Sequence, residues 1–286
     1  MAAARTIAIL AGLATVAPAA DLAFQRLALH QYEDGPIIGS SYEYVAGEVG
    51  WFGVRVSGYQ REAREPEQGA RLSWEVRITD PAGVLIEPPT KGAINELLRV
   101  QDKDWVPKFN VMFTVPSYAP RGDYKISVSV KDEVASASIA SEMPFHVRAD
   151  ELPPAGQFGI RNLRMLAKEG DRFGMKPAIY QRPGTLIALF DIVGYKLEES
   201  NKYSVDYRLA IAGAPTEQEP KGAVLYSQPE AREESGMPFY PQRWVAGGFS
   251  LNFNADVSAG KYALVVTVRD KLGGEEREFR EPFELR

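Results

Sequence analysis

The chain has no cysteine among its 286 residues and only two histidines. Without cysteine there is no disulfide framework, no thiolate zinc site, no thiol nucleophile and no lipidated cysteine anchor. His30 and His146 each fall in a stretch that reads as a strand, and neither stands in HExxH or comparable spacing. A His-based triad or transition-metal site therefore has no support, and the expectation is no catalytic residue, no metal and no cofactor. Gly-rich phosphate loops need a strand and a helix around them, and no long amphipathic helix pattern is present. Acidic clusters such as Asp102-Lys103-Asp104 and Glu233-Glu234 have basic neighbours and read as solvated loops rather than calcium ligands or a glycosidase pair.

Strong charge of either sign is also lacking. Acidic residues number 38 against 33 basic, which gives little electrostatic grip on polyphosphate and argues against a nucleic-acid partner. Long hydrophobic runs are nearly absent. The exception, Thr6 to Ala17, is about twelve residues, shorter than the ~20 that a bilayer crossing needs. It follows Arg5 and precedes Ala17-Pro18-Ala19, so residues 1–19 read as a secretory signal peptide cleaved after Ala19. The mature chain is then expected to be secreted or periplasmic, with no transmembrane segment and, once Arg5 is removed, 38 acidic against 32 basic residues.

What is present is one unit written twice. GDYKISVSVKD from Gly122 and GKYALVVTVRD from Gly260 both place Asp ten residues after the Gly, and Pro and Phe 22 and 23 residues after it. Ungapped spacing of this kind over 26 positions indicates duplication. Upstream, Phe109-x-Val111-x-Phe113 answers Phe249-x-Leu251-x-Phe253, Lys91-Gly92-Ala93 answers Lys221-Gly222-Ala223, and VRVSGY answers FDIVGY. The offsets drift between 130 and 140, as expected when loops absorb insertions. Pro153-Pro154 marks a linker over 149–156, between a first domain at 20–148 and a second at 157–286.

Each unit alternates with period two. Leu72, Trp74, Val76 and Ile78 interleave with Ser73, Glu75, Arg77 and Thr79, and Tyr203 to Ile211 repeat the pattern. Such alternation is that of half-buried antiparallel strands. Seven strands per unit are predicted: near 24–32, 49–59, 71–79, 84–87, 107–115, 122–131 and 136–148, then near 157–167, 184–195, 202–212, 222–228, 244–255, 260–270 and 275–286.

Gly122-Asp123-Tyr124 and Gly260-Lys261-Tyr262 resemble the tyrosine corner of immunoglobulin-like and fibronectin type III modules. Trp74 resembles their core Trp, with Tyr207 in its place in the second unit. The resemblance implies an all-β chain of two tandem seven-stranded antiparallel sandwiches and transfers no activity. It also bears on Arg121-Gly122-Asp123, the tripeptide of adhesion ligands. Only its glycine recurs in the second unit, and Asp123 opens a strand, so the tripeptide reads as a turn.

Aromatic residues are the better candidates for contact. Phe52, Val54 and Val56 point inward by alternation, leaving Trp51 on the outer face with Arg55. Trp105-Val106 and Trp244-Val245 recur before the fifth strand of each unit, which favours packing. The resemblance implies that the loops near 61–69, 88–106 and Asp132 share one pole of the first unit, and their counterparts include the long insertion 228–244; this pole, with Phe239, Tyr240 and Trp244, is the preferred interaction surface, and Trp51 and Trp105 complete the candidates. The leading expectation is a non-enzymatic binding or structural protein with an unidentified protein partner. A carbohydrate-binding module using exposed Trp and Tyr is the alternative. A two-domain periplasmic chaperone and an unrecognised carboxylate enzyme rank lower.

Overall fold

A computed structural model of the chain describes residues 21–99, 101–149 and 157–286. The signal-peptide reading and all but the first residue of the linker reading lie outside the described residues. The protein is all-β, in two tandem domains of similar topology, and the one helical turn among the described residues is the 3-10 segment Glu199–Asn201. No helix there is long and apolar enough to cross a membrane.

The first domain contains β1 (Ala23–His30), β2 (Glu43–Val45), β3 (Val49–Ser57), β4 (Arg61–Arg64), β5 (Glu67–Thr79), β6 (Thr90–Leu98), β7 (Lys108–Thr114), β8 (Gly122–Asp132) and β9 (Ser138–Arg148). One sheet runs β1-β3-β7; the other runs β2-β9-β8-β5-β4, with β6 also paired to β5. The second domain contains β10 (Gly159–Leu166), β11 (Ile179–Tyr180), β12 (Gly184–Val193), β13 (Tyr203–Gly213), β14 (Val224–Ser227), β15 (Arg232–Gly236), β16 (Trp244–Phe253), β17 (Gly260–Asp270) and β18 (Glu276–Leu285). Its sheets run β10-β12-β16 and β11-β18-β17-β13-β14, with β15 also on β13.

Among the described residues each unit has nine strands, which corrects the expected seven. The additions are short or polar edge strands. β2 and β11 lie parallel to β9 and β18, while the other pairings are antiparallel. The predicted loop at 61–69 is the β4–β5 hairpin. Residues 84–87 form no strand: after Asp80 the chain turns back on itself with a single bridge, Thr79 to Leu85. β6 takes the edge instead, pairing Thr90–Leu98 along β5.

Alternation places the core as expected. Phe52, Val54 and Val56 of β3 face Val76 and Ile78 of β5 and Ile126, Val128 and Val130 of β8, all buried. In the second domain Leu186, Ala188, Phe190 and Ile192 meet Val205, Tyr207, Leu209, Leu264, Val266 and Val268. Each such large apolar side chain contributes about 1.5–3 kcal/mol by leaving water, which is the main source of stability in a chain without cross-links.

The repeat is visible in hydrogen bonds as well as in sheet order. The Tyr124 hydroxyl donates to the Pro120 carbonyl at 2.8 Å and that of Tyr262 to Ser258 at 2.7 Å, closing the same corner in both units. The preceding Gly122 and Gly260 have φ of +140° and +153°, a conformation that L side chains rarely adopt. Asp132, ending β8, is buried and accepts from the backbone N–H of Gln60, Val134 and Ala135. Asp270, ending β17, accepts from Lys196, Leu272 and Gly273 in the same manner. A carboxylate with three backbone donors ties the end of one strand to the turn after another.

Register corrects three sequence matches. Val54 pairs with Phe109, whereas its counterpart Phe190 pairs with Gly247. The place of Phe109 is thus taken by Gly247, and the Phe109/Phe249 match is displaced by two residues. By the same register Trp244 occupies the place of Val106, so the two Trp-Val pairs are displaced by one. Gly92 lies opposite Trp74 in β6, whereas Gly222 sits in the turn before β14, so that match is also not structural.

Candidate functional site

Among the described residues no group of three or more His, Asp or Glu side chains is placed to hold a metal ion. His30 Nδ1 lies 2.7 Å from the Gly35 carbonyl and His146 Nδ1 lies 2.6 Å from the Asp123 carboxylate, so the two histidines are in separate places. Asp123 belongs to β8, paired with His146 of β9.

The five aromatic candidates fall into two groups. Trp51 is half-buried on the outer face of β3, in one row with His30 of β1 and Met112 of β7. Trp105 packs edge-on against Tyr59 at 5.8 Å and accepts a 3.3 Å hydrogen bond from it through its carbonyl. The three tryptophans therefore do not line up in one strip.

Phe239, Tyr240 and Trp244 belong to the junction between the domains. Tyr240, 3% exposed, enters the core of the first domain. Its ring stacks on Tyr118 at 5.9 Å, and its hydroxyl donates to Asp80 at 2.7 Å. Asp80 is itself buried and already accepts from the N–H of Ala82 and Val84, both at 2.8 Å. Burial, the hydrogen bond to Asp80 and its negative charge all push the Tyr240 hydroxyl far above the usual phenol range, so it remains a donor.

The loop delivering Tyr240 is held from its own domain. The Asn201 amide donates to the carbonyls of Pro238 and Phe239, and the Tyr195 hydroxyl donates to Gln242 at 2.7 Å. With its neighbours fixed, Tyr240 loses less entropy on docking. Phe239, next to it, is half exposed.

Beside this junction lies a cleft of about 1090 Å³. Tyr118 and Arg148 line it from the first domain, and Arg164, Phe173, Met175 and Trp244 from the second. Phe173 is 83% exposed. The Arg164 guanidinium donates to the Arg172 carbonyl at 2.9 Å, bracing the segment that carries Phe173. Trp244 is legible in the sequence as a candidate, but the cleft is not, because residues far apart in the chain build it. The one local signal was an aromatic residue, Phe173, in a polar stretch without strand alternation.

No protein-family model matches the chain, and no curated protein matches it. Among solved structures it is similar to the C-terminal domain of the AgI/II polypeptide BspA of Streptococcus agalactiae, at 11% identity and a TM-score of 0.29, over 90% of this chain and 99% of that one.

Proposed function

We propose that this is an exported, non-enzymatic protein that works through protein–protein contacts, docking a partner in the cleft between its two domains. The domains are read as immunoglobulin-like or fibronectin type III-like sandwiches, a reading supported by the paired corner tyrosines and the small sheet packed on a larger one. Export rests on the signal-like residues 1–19.

The observation that carries the reading is Phe173. A phenyl ring left 83% exposed at the rim of a cleft gains little from folding, whereas burying it under a partner recovers apolar transfer energy. Tyr118 and Trp244 supply further aromatic wall, and the Tyr240 contact keeps both walls in place.

The test is site-specific photo-crosslinking from position 173 in envelope extracts, with position 221 as an exposed control. A protein crosslinked at 173 but not at 221, and lost from pull-downs by Phe173→Ser, is expected. Retention of the same proteins by Phe173→Ser with an unchanged fold defeats the proposal.

A further inference from the structure

On the outer face of the small sheet of the first domain, Arg26, Arg55 and Lys108 stand in one row across β1, β3 and β7. Neighbouring strands lie ~4.8 Å apart, so three cations share one strip of surface. Lys108 is paired with Asp34 at 2.8 Å, and Asn110 donates to the other Asp34 oxygen at 3.1 Å. Among the described residues the side chains of Arg26 and Arg55 form no hydrogen bond or salt bridge.

The next row along the strands is Ala28, Gly53 and Asn110, small at its centre. A Cβ on Gly53 would sit 2.7 Å from His30 Nε2 and 3.1 Å from Asn110 Oδ1. His30 thus covers Gly53 closely, and beside it lies a pocket of about 390 Å³ above the sheet, lined by Arg26, His30, Arg55 and Lys108 and closed on one side by Asp34 to Ile37.

The second domain provides an internal control. Register places Asp191 where the first domain has Arg55, with Arg161 and Ala246 beside it, and Arg161 lies 3.4 Å from the Asp191 carboxylate. Register also places Leu189 where the first domain has Gly53. One copy is thus neutralised by a direct ion pair, while the other keeps a pocket and two guanidinium groups that, among the described residues, form no hydrogen bond or salt bridge, with Arg55 attracted to Asp34 only at longer range.

We infer that this pocket binds a carboxylate of an acidic peptide segment, with Arg26 and Arg55 as the recognising groups. Guanidinium forks pair with carboxylates bidentately, and a pocket of this size takes one side chain. Asn110 and Lys108, already turned toward Asp34, border the same space. The inference rests on the reading of the molecule as a protein-binding module but uses a different face from the cleft.

The probe is a decaglutamate peptide titrated into the mature protein at low salt, with decaglutamine and an oligogalacturonate in parallel. Saturable decaglutamate binding is expected, weakened by salt, absent for decaglutamine and at least roughly tenfold weaker in Arg55→Asp, which copies the second domain. Arg26→Ala, at another exposed position, is expected to weaken it similarly and guards against a folding defect in the first variant. Absence of decaglutamate binding, equal binding by both variants, or binding of the oligogalacturonate alone overturns the inference. None of these results alters crosslinking at position 173, so the two proposals fail separately.

Discussion

Tyr240 of the second domain donates a 2.7 Å hydrogen bond to Asp80 of the first, across 160 positions of the chain. The acceptor is set by its own turn, and the donor by Asn201 and Tyr195, so two preformed surfaces meet. Tyr240→Phe removes one charge-assisted hydrogen bond, about 1.5–3 kcal/mol. Tyr240→Ala also removes the ring from the first core, about 3–5 kcal/mol. Calorimetry of Tyr240→Ala is expected to show separate transitions for the domains, and small-angle scattering a broader range of arrangements; scattering identical to the parent protein counts against the contact as the lock.

Asp132 and Asp270 each organise three backbone donors in a buried position. Replacing either by Ala leaves those N–H groups without acceptors, at about 1–3 kcal/mol per orphaned group. In the Tyr240→Ala background, where the domains unfold separately, Asp132→Ala is expected to lower the urea midpoint of the first domain and leave that of the second nearly unchanged, with Asp270→Ala doing the reverse. Proteolysis of the turns after β3 and β12 provides a local check.

Gly247 and Phe190 exchange volume with Phe109 and Val54. In the first domain Phe109 stacks on Trp74 at 4.2 Å beside the small Val54. In the second, Phe190 occupies that depth, and a Cβ on Gly247 would lie 2.3 Å from its ring. Gly247→Ala alone is therefore expected to destabilise by about 1–3 kcal/mol through overpacking. Adding Phe190→Val makes room, and a double-mutant cycle by chemical denaturation should return a favourable coupling of at least about 0.5 kcal/mol. Additive losses would show that the two positions do not share the space.

Several tyrosines make the fold sensitive to alkali. Burial pushes the hydroxyls of Tyr44, Tyr124, Tyr195 and Tyr240 far above the usual range, and that of Tyr180 up to about 12. Below the unfolded value of ~10 both states hold these protons, so the contribution is fully present. Above it the unfolded chain releases protons that the folded chain retains, and stability is lost as pH rises through the folded values. Melting temperature is expected to be insensitive to these groups up to about pH 9.5 and to fall beyond it. Tyr44→Phe should reduce that fall at little cost near neutrality, because the buried Tyr44 hydroxyl has no hydrogen-bond partner among the described residues.

Period-two alternation made the inward faces legible in the sequence, and the Gly-x-Tyr spacing exposed both corners. Register was not legible, for a physical reason. A slip of two residues keeps every side chain on its face, so Phe109 and Phe249 match by eye while the sheets pair Phe109 and Gly247 with equivalent strands. Edge strand β6 escaped because Lys91, Asn95 and Glu96 are solvated there, while the apolar run Val84–Ile86 is a return turn that looks like a strand. Tyr240 was recognisable as a loop aromatic but not as a core residue, since its burial comes from the other domain. The row Arg26-Arg55-Lys108 required three strands to be aligned before it existed at all.

The junction has a polarity. Register puts Gly213 of the second domain where the first has Asp80, both at the end of the strand that carries Trp74 or Tyr207. Glycine supplies no carboxylate, so the second domain has a plug but no socket of the same kind. Two copies that began alike have become a donor and a receiver: their order cannot be exchanged, and any module joined beyond the second would need to be seated by different chemistry.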